Sequence, residues 1–453
     1  MAAEPGTLAD LARHLREGRL TSLEVTERCL ARIAERNAAL NAYITVLADT
    51  ARADAQAADR ELAAGRCRGA LHGIPLSLKD LIDQGGVPTT AASRVRAGHV
   101  AREDAPVVAR LRAAGAVFLG KTNLHEFAFG TTNEDSAFGP ARHPLDPEYS
   151  PGGSSGGSAA SVLDGMAWAS IGTDTGGSVR IPASACGLVG LKPALGEIPT
   201  AGVVPLSATM DHVGPLCLTV EDAWLVFATM RGEPDPAPLA PRDVGGLRLA
   251  VPRPYFLDLL DPEVAARFED GCARLARAGA IMEHTAIPHA GDIAPVYLHI
   301  VLAEAAACHA ATLETRPGDY TPNVRIRLEM GRYVLAEDYL RAMRGREVLT
   351  REVDAALTGQ DALLLPTLPV AATRIGAATV RLGEVDEPVR NATLRLTQLF
   401  DITGHPAVTI PGGRTATGLP VGAQLVGARD AGSARLLQAA AAVEATLAGA
   451  TAC

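Results

Sequence analysis

Two Gly-Gly-Ser sequences, which end at Ser154 and Ser178, lie 24 positions apart within residues 149–193. Glycine adopts backbone conformations that other residues avoid, so paired glycines before a serine let backbone N–H groups gather around its hydroxyl. A nucleophilic hydroxyl beside an oxyanion hole requires that arrangement. The apolar sequence on both sides indicates turns in an ordered core, which argues against a flexible glycine-serine linker.

Short apolar runs alternate with helical segments around these turns. From Leu71, the runs GIPLSL and GAVFLG are separated by DAPVVARLRAAG, which has the composition of a helix. This alternation predicts an α/β fold in which helices cover a β-sheet.

The N-terminal part has a different pattern. In residues 7–65, Thr21 and Glu24 fit a helix capping box, and Val25, Cys29 and Ile33 recur at helical spacing. We therefore expect residues 1–65 to form a helical arm on a single domain that spans residues 1–453. The first residues lack the apolar stretch of a signal peptide.

The remaining chain divides at a proline-rich stretch. Residues 231–243 contain four prolines and several charges, which predicts a surface connection after a catalytic core at 66–230. Residues 244–365 then predict strand, helix and strand, a helical insert at 296–358 that could cover the active site, and a buried strand. Residues 366–453 end in two strands and a helix that complete the core.

Composition restricts the classes of partner and site. The chain has 453 residues, 47% of them hydrophobic, which is enough for a large core without disulfides or metals. The net charge of -9 and the lack of a basic run argue against nucleic acid as a partner. Seven cysteines without a CxxC pair suit a reducing compartment and no zinc site. No apolar run is expected to reach membrane-spanning length, so we predict a cytoplasmic protein that binds no membrane.

A serine nucleophile needs a base, and the sequence offers lysine or histidine. Ser178, in the sequence GGSVR, does not fit the G-x-S-x-G turn of hydrolases that use a Ser-His-Asp triad. Lys79 follows an apolar, strand-like run in which desolvation favours the uncharged amine. Lowering a lysine pKa to near 7.5 is a shift of about three units, or about 4 kcal/mol.

One further motif points to a different class of function. GAVFLGKT, from Gly115 to Thr122, formally matches a phosphate-binding loop. Its four residues between the glycines resemble a strand, whereas such a loop must be pliant. We therefore do not expect nucleotide binding.

Four motifs together resemble the amidase signature family, in the order LHGIPLSLKDLID, GKTNLHEFAFGTTNEDSAFGP, SPGGSSGGSAAS and GTDTGGSVRIPASACGLVGLKP. The match is dense from about Leu71 to Ala223, and HPAVTIPGG and LPVGAQLVG extend it. The resemblance implies a large mixed β-sheet covered by helices on both faces. It also implies a small-molecule amide substrate and no cofactor or metal, and it suggests a homodimer.

The resemblance implies a role for each of three residues. Ser178 would be the nucleophile, Ser154 a bridging serine after a cis peptide bond, and Lys79 the ultimate base. The implied oxyanion hole consists of the backbone N–H groups of Thr175, Gly176, Gly177 and Ser178.

The resemblance also bears on four neighbouring residues. Phe129 and Gly130 match positions that line the acyl side of the pocket, although Phe129 also suits plain core packing. Arg180 could bind a substrate carboxylate, but a structural pair with Asp174 behind the turn is favoured.

The implied function is a serine-type amidohydrolase for aryl or aliphatic linear amides, with esters and carbamates as further substrates. An alternative is the glutaminase component of a tRNA-dependent glutamine amidotransferase, its A subunit. That component has an aspartate ten positions before the glycine that corresponds to Gly404, where this chain has Leu394. Its RYDG-type segment also lacks a counterpart in residues 303–314. Both differences favour a free-standing amidase, and a non-enzymatic scaffold of the same fold is the third hypothesis.

Overall fold

The computed structural model describes residues 5–240 and 242–448. Its centre is a mixed sheet of 11 strands, and a two-stranded hairpin lies apart from it. The strands are β1 (Tyr43–Val46), β2 (Pro75–Lys79), β3 (Val117–Thr122), β4 (Ala169–Asp174), β5 (Val189–Lys192), β6 (His212–Cys217), β7 (Arg248–Pro252), β8 (Ile281–Thr285), β9 (Ala362–Pro366), β10 (Thr379–Leu382), β11 (Val385–Pro388), β12 (Ala407–Arg414) and β13 (Pro420–Val426).

Helices flank this sheet, which confirms the predicted α/β fold with a large mixed sheet. They are α1 (Leu8–Arg16), α2 (Ser22–Leu40), α3 (Ala48–Ala63), α4 (Pro106–Ala113), α5 (Gly156–Leu163), α6 (Arg180–Cys186), α7 (Val220–Arg231), α8 (Pro262–Arg277), α9 (Ile293–Thr315), α10 (Pro322–Gly331), α11 (Ala336–Ala356), α12 (Val389–Leu394), α13 (Leu399–Ile402) and α14 (Gly432–Ala448).

The strand order brings two motif-bearing strands together. The order is β1-β3-β2-β4-β6-β5-β12-β13-β9-β7-β8. Strand β2 runs parallel to β4, with Leu78 opposite Ile171. Every residue of both strands is buried, as in parallel strands that are covered on both faces. Parallel strands end at the same edge of a sheet, so Lys79 and Asp174 come to one edge.

The N-terminal region differs from the all-helical expectation. The capping box of Thr21 and Glu24 is present at the start of α2, as predicted. However, Tyr43–Val46 forms the edge strand β1, which pairs antiparallel with β3. Its sequence, YITV, consists of aromatic and β-branched residues that favour strands. This short segment, which lies between α2 and α3, therefore pairs with the free edge of β3.

The second half contains the predicted strand, helix and strand as β7, α8 and β8, and the predicted helical insert as α9, α10 and α11. Residues 233–240, 242 and 243 contain no helix or strand, and none of them is buried. The hairpin of β10 and β11 was not predicted. Its residues are mostly exposed, so they show no strong apolar alternation in the sequence.

Helix α9 is longer and more apolar than the sequence analysis predicted for any segment. Residues Ala290–Thr315 form a helical stretch of 26 residues that contains an 18-residue window with a mean hydropathy of 1.4, enough by length and composition to cross a membrane. The expectation that no apolar run reaches this length is therefore wrong. Half of the apolar window is buried inside the protein, where Ile300 and Val301 pack in the core. A core helix of a folded domain has the same properties.

Candidate active site

Three segments meet at the edge of the sheet where β2 and β4 end. Lys79 is the last residue of β2, Ser154 lies in the turn before α5, and Ser178 lies between β4 and α6. The Gly153–Ser154 peptide bond is cis. A Cβ at Gly153 would lie 2.7 Å from the Asn133 backbone nitrogen, so this turn requires glycine for close packing.

The amine of Lys79 is enclosed by hydroxyl groups. Its Nζ donates hydrogen bonds to Ser154 Oγ at 2.7 Å and Thr173 Oγ1 at 2.8 Å. The side chain is fully buried and contacts no carboxylate of the described residues. Burial lowers the pKa of Lys79 to about 7, although the negative charges of Asp174 and Asp211 oppose the shift.

Ser178 lies beside the Ser154 turn and is 6% exposed. The Ser155 N–H donates to the Ser178 carbonyl oxygen at 3.3 Å, which joins the two glycine-rich turns. The Gly177 N–H already donates to Asp174 Oδ1 at 2.7 Å, which differs from the expectation of four free donors. Within the part of the chain that the structure describes, the N–H groups of Thr175, Gly176 and Ser178 donate no hydrogen bond.

The glycine turn is held by residues that are distant in the sequence. Thr397 Oγ1 donates to the Gly176 carbonyl oxygen at 2.6 Å. Thr175 Oγ1 donates to Asp211 Oδ1 at 2.6 Å, and burial raises the pKa of Asp211 to about 6. A Cβ at Gly176 would overlap the Tyr297 hydroxyl and lie 3.0 Å from Leu394 Cδ2. No local motif marks Thr397 or Tyr297, whereas strand alternation from Ile171 could have placed Thr173 near Lys79.

Behind the turn, Arg180 lies between two carboxylates. Its Nε donates to Asp174 Oδ2 at 3.1 Å, and its Nη2 donates to Asp401 Oδ2 at 2.6 Å. All three side chains are fully buried. Although burial opposes ionisation, the Arg180 guanidinium holds the pKa of Asp174 well below its usual range. The sequence pointed to the Asp174 pair and missed Asp401, which follows 221 residues later.

Replacing Arg180 with methionine is expected to lower the free energy of unfolding by about 3–5 kcal/mol, because two carboxylates would lose their buried cation. Denaturant titration measures this change. Arg381→Met is the matched control, since Arg381 and its partner Asp386 are mostly exposed and such a pair contributes about 0–1 kcal/mol. If both variants unfold with the same free energy, the buried network does not hold the turn.

Phe129 and Gly130 immediately precede the segment that packs on the Ser154 turn. The carbonyl carbon of Thr131, which follows them, is 2.9 Å from the position of a Cβ on Gly153. A Cβ on Gly130 would overlap the His125 ring, so glycine is needed here. Phe129 is buried, and its carbonyl oxygen accepts a hydrogen bond from Arg327 Nη1 at 2.7 Å. The guanidinium carbons of Arg327 and Arg390 each lie 6.0 Å from the Phe129 ring centroid.

The GAVFLGKT motif differs in structure from a phosphate-binding loop. The GAVFLGKT segment lies largely in β3, as a strand rather than a phosphate-binding loop. Lys121 is buried 3.4 Å from Asp80 Oδ1. Across the two described ranges, no three His, Cys, Asp or Glu residues are grouped as metal ligands.

Comparison with known proteins places this arrangement in a family. The sequence model of the family "Amidase" matches residues 24–433. An amidase of Pseudomonas putida is 41% identical over 91% of this chain and 90% of its own length. The A subunit of the glutamyl-tRNA(Gln) amidotransferase of Roseiflexus sp. (strain RS-1) is 38% identical over 93% of this chain and 92% of its own length.

Among solved structures, a crystal structure of an amidase superposes with a TM-score of 0.92 at 37% identity, covering 97% of this chain and 100% of that one. The fold and the sequence motifs therefore agree over nearly the whole length. The chain belongs to the amidase signature family of enzymes that act on carbon–nitrogen bonds.

Proposed function

We propose that the chain is a serine-type amidohydrolase that cleaves the C–N bond of small linear amides through an acyl-enzyme on Ser178. The observation that carries this proposal is the buried Lys79 amine at 2.7 Å from Ser154 Oγ. With its pKa lowered to about 7, this amine is largely neutral at pH values above 7 and is able to accept a proton. Esters and carbamates present the same acyl carbon and are further substrates.

The proposed cycle transfers one proton through Ser154. Ser154 gives its proton to neutral Lys79 and takes the proton of Ser178, while Ser178 Oγ bonds to the amide carbon and the carbonyl electrons move to oxygen. When this intermediate collapses, the C–N bond breaks and the proton returns from Lys79 through Ser154 to the leaving amine. Water then attacks the ester by the same route, which releases the acid and restores Ser178.

The proposed oxyanion hole is formed by the N–H groups of Thr175, Gly176 and Ser178, which have no acceptor within the described residues. The peptide group between Gly176 and Gly177 is held at its carbonyl by Thr397 and at its N–H by Asp174. A turn fixed in this way needs no reorganisation when negative charge develops on the substrate oxygen. Each such donor contributes roughly a hundred- to a thousandfold in rate.

The second candidate function is that of the glutaminase component of an amidotransferase, which the similarity to the Roseiflexus protein supports. Leu394 argues against it, because this apolar side chain packs on Gly176 at the position where a substrate amino group would need an acid. Such a component would also need a partner chain. The homodimer that the resemblance suggests stays a prediction.

A substrate panel separates these functions. We expect the purified protein to release amine or ammonia from p-nitroanilides, carbamates or indoleacetamide, and to hydrolyse glutamine more slowly. Hydrolysis of glutamine alone would support the second candidate. Failure to hydrolyse any of these compounds or the carboxylate-bearing amides described below, with no covalent labelling of Ser178, would favour a non-enzymatic scaffold of this fold.

A further inference from the structure

A cavity of about 390 Å³ adjoins the glycine turn. Tyr297 and Leu394 form part of its wall, and these two side chains pack directly on Gly176. Arg390, Arg395 and Glu387 also line it. The cavity is therefore one side chain away from the turn that contains Ser178, and two of its three ionisable charges are positive.

Arg390 has no anionic partner among the residues that the structure describes. No carboxylate of the described residues lies within salt-bridge distance of it, and its buried Nε has no hydrogen-bond acceptor. The Nε of Arg395 is likewise buried without an acceptor, although its Nη2 donates to the Tyr255 carbonyl oxygen at 3.0 Å. Glu387 forms a salt bridge with neither arginine. Buried charged groups in folded proteins are ordinarily paired, so this arrangement needs an explanation.

A third guanidinium, that of Arg327, increases the local positive charge. Arg327 and Arg390 both lie against Phe129, which connects the cavity with the segment that packs on Gly153. Burial, together with the charge of Arg390, lowers the pKa of Arg327 to about 10. Two like charges held close together in a partly buried place favour the binding of an anion between or beside them.

We propose that this cavity binds a carboxylate of the substrate and that Arg390 is its main anchor. The preferred substrates are then amides that carry a carboxylate a few bonds from the scissile carbonyl, such as monoamides of dicarboxylic acids. A guanidinium fork suits a carboxylate because two parallel N–H···O bonds form at once. The inference rests on the proposed amidohydrolase function, and it ranks carboxylate-bearing amides above the neutral aryl and aliphatic amides that the sequence suggested.

The test compares kcat/KM for succinamate, glutaramate and adipamate with that for neutral amides of the same carbon number. We expect the best carboxylate-bearing amide to exceed its neutral counterpart by about 10- to 100-fold, because a charge-assisted hydrogen bond contributes about 1.5–3 kcal/mol. Arg390→Met is expected to remove this preference, mainly through KM. Neutral amides should lose less kcat/KM than the carboxylate-bearing amides, because they have no carboxylate for Arg390 to bind.

Two further variants make the result specific. Arg390→Lys keeps the charge without the planar fork, so we expect an intermediate preference. Arg381→Met removes an arginine from the exposed hairpin and should leave the preference unchanged. The inference is wrong if the wild type has equal kcat/KM values for charged and neutral amides and Arg390→Met has the same values. That result would leave the amidohydrolase function intact.

Binding provides a readout that does not depend on turnover. In the Ser178→Ala background, calorimetry should detect glutaramate binding, and Arg390→Met should weaken it about 10-fold or more. If the protein binds glutaramate through Arg390 yet hydrolyses no amide, the proposed function fails and the anion site remains. If Ser178→Ala binds glutaramate no better than the neutral amide, the carboxylate site is refuted.

Discussion

Ser178→Ala is expected to lower kcat by roughly 10⁴- to 10⁶-fold on any amide that the wild-type protein hydrolyses, with little change in substrate binding. Without the Ser178 hydroxyl, no acyl-enzyme can form, and residual catalysis is limited to oriented water and the N–H groups of the turn. Alanine should fit without disturbing the turn, because the Ser178 interaction that links the two turns is made by its backbone carbonyl. Steady-state kinetics measures the loss.

Covalent labelling locates the nucleophile independently of the substrate. A fluorophosphonate probe should modify the wild-type protein at Ser178, as mapped by peptide mass spectrometry, and should not modify Ser178→Ala. The matched control is Ser184→Ala on α6, which removes a buried hydroxyl beside Gly422. This control should retain both labelling and turnover. Full activity in Ser178→Ala, or labelling of another serine, would refute the assignment.

Lys79→Met is expected to lower kcat/KM by about 10²- to 10⁴-fold, the usual contribution of a general base. The pH profile should change as well. The pKa of Lys79 is lowered to about 7, so the amine of the wild type becomes protonated, and unable to accept a proton, as the pH falls through about 7. Wild-type kcat/KM should therefore decrease below this pH, and the variant should lose this acidic limb.

Lys79→Arg separates the role of a base from that of a positive charge. Arginine stays charged at every pH of interest, so it keeps a cation near Ser154 but cannot accept the proton. We expect this variant to be as impaired as Lys79→Met. Activity close to the wild type in Lys79→Arg would show that the site needs a charge rather than a neutral amine.

The fold was predictable where the sequence pattern is strong. The buried runs that became β2, β3 and β9 and the capping box of α2 follow from local apolar patterning and helix capping. Strand β1 was missed because its pairing depends on the free edge of β3, which lies more than 70 residues away in the chain. The exposed hairpin of β10 and β11 was missed because few of its residues contribute to the core.

The same distinction applies to the site. The glycine turns, Lys79 and the Asp174–Arg180 pair carry local signals, and the structure brings them to one edge of the sheet. Thr397 and Asp401 reach the turn from more than 200 residues downstream, so no spacing reveals them. The arginines beside Phe129 were also missed, and they change the expected substrate from neutral to anionic.

The lysine content of the chain makes the central claim open to direct measurement. The sequence contains three lysines, Lys79, Lys121 and Lys192, whereas its surface cations are arginines. All three lysines are fully buried, and burial lowers the pKa of each. A protein labelled with [ε-¹³C]lysine would therefore give three side-chain NMR signals, and that of Lys79 is assigned by its loss in Lys79→Arg.

The titration of this signal tests the neutral amine directly. We expect the ¹³Cε shift of Lys79 to change with a midpoint near pH 7, with most of the amine uncharged at pH 8. A Lys79 signal that titrates near pH 10, as an unperturbed lysine does, would leave Ser154 without a base and contradict the mechanism.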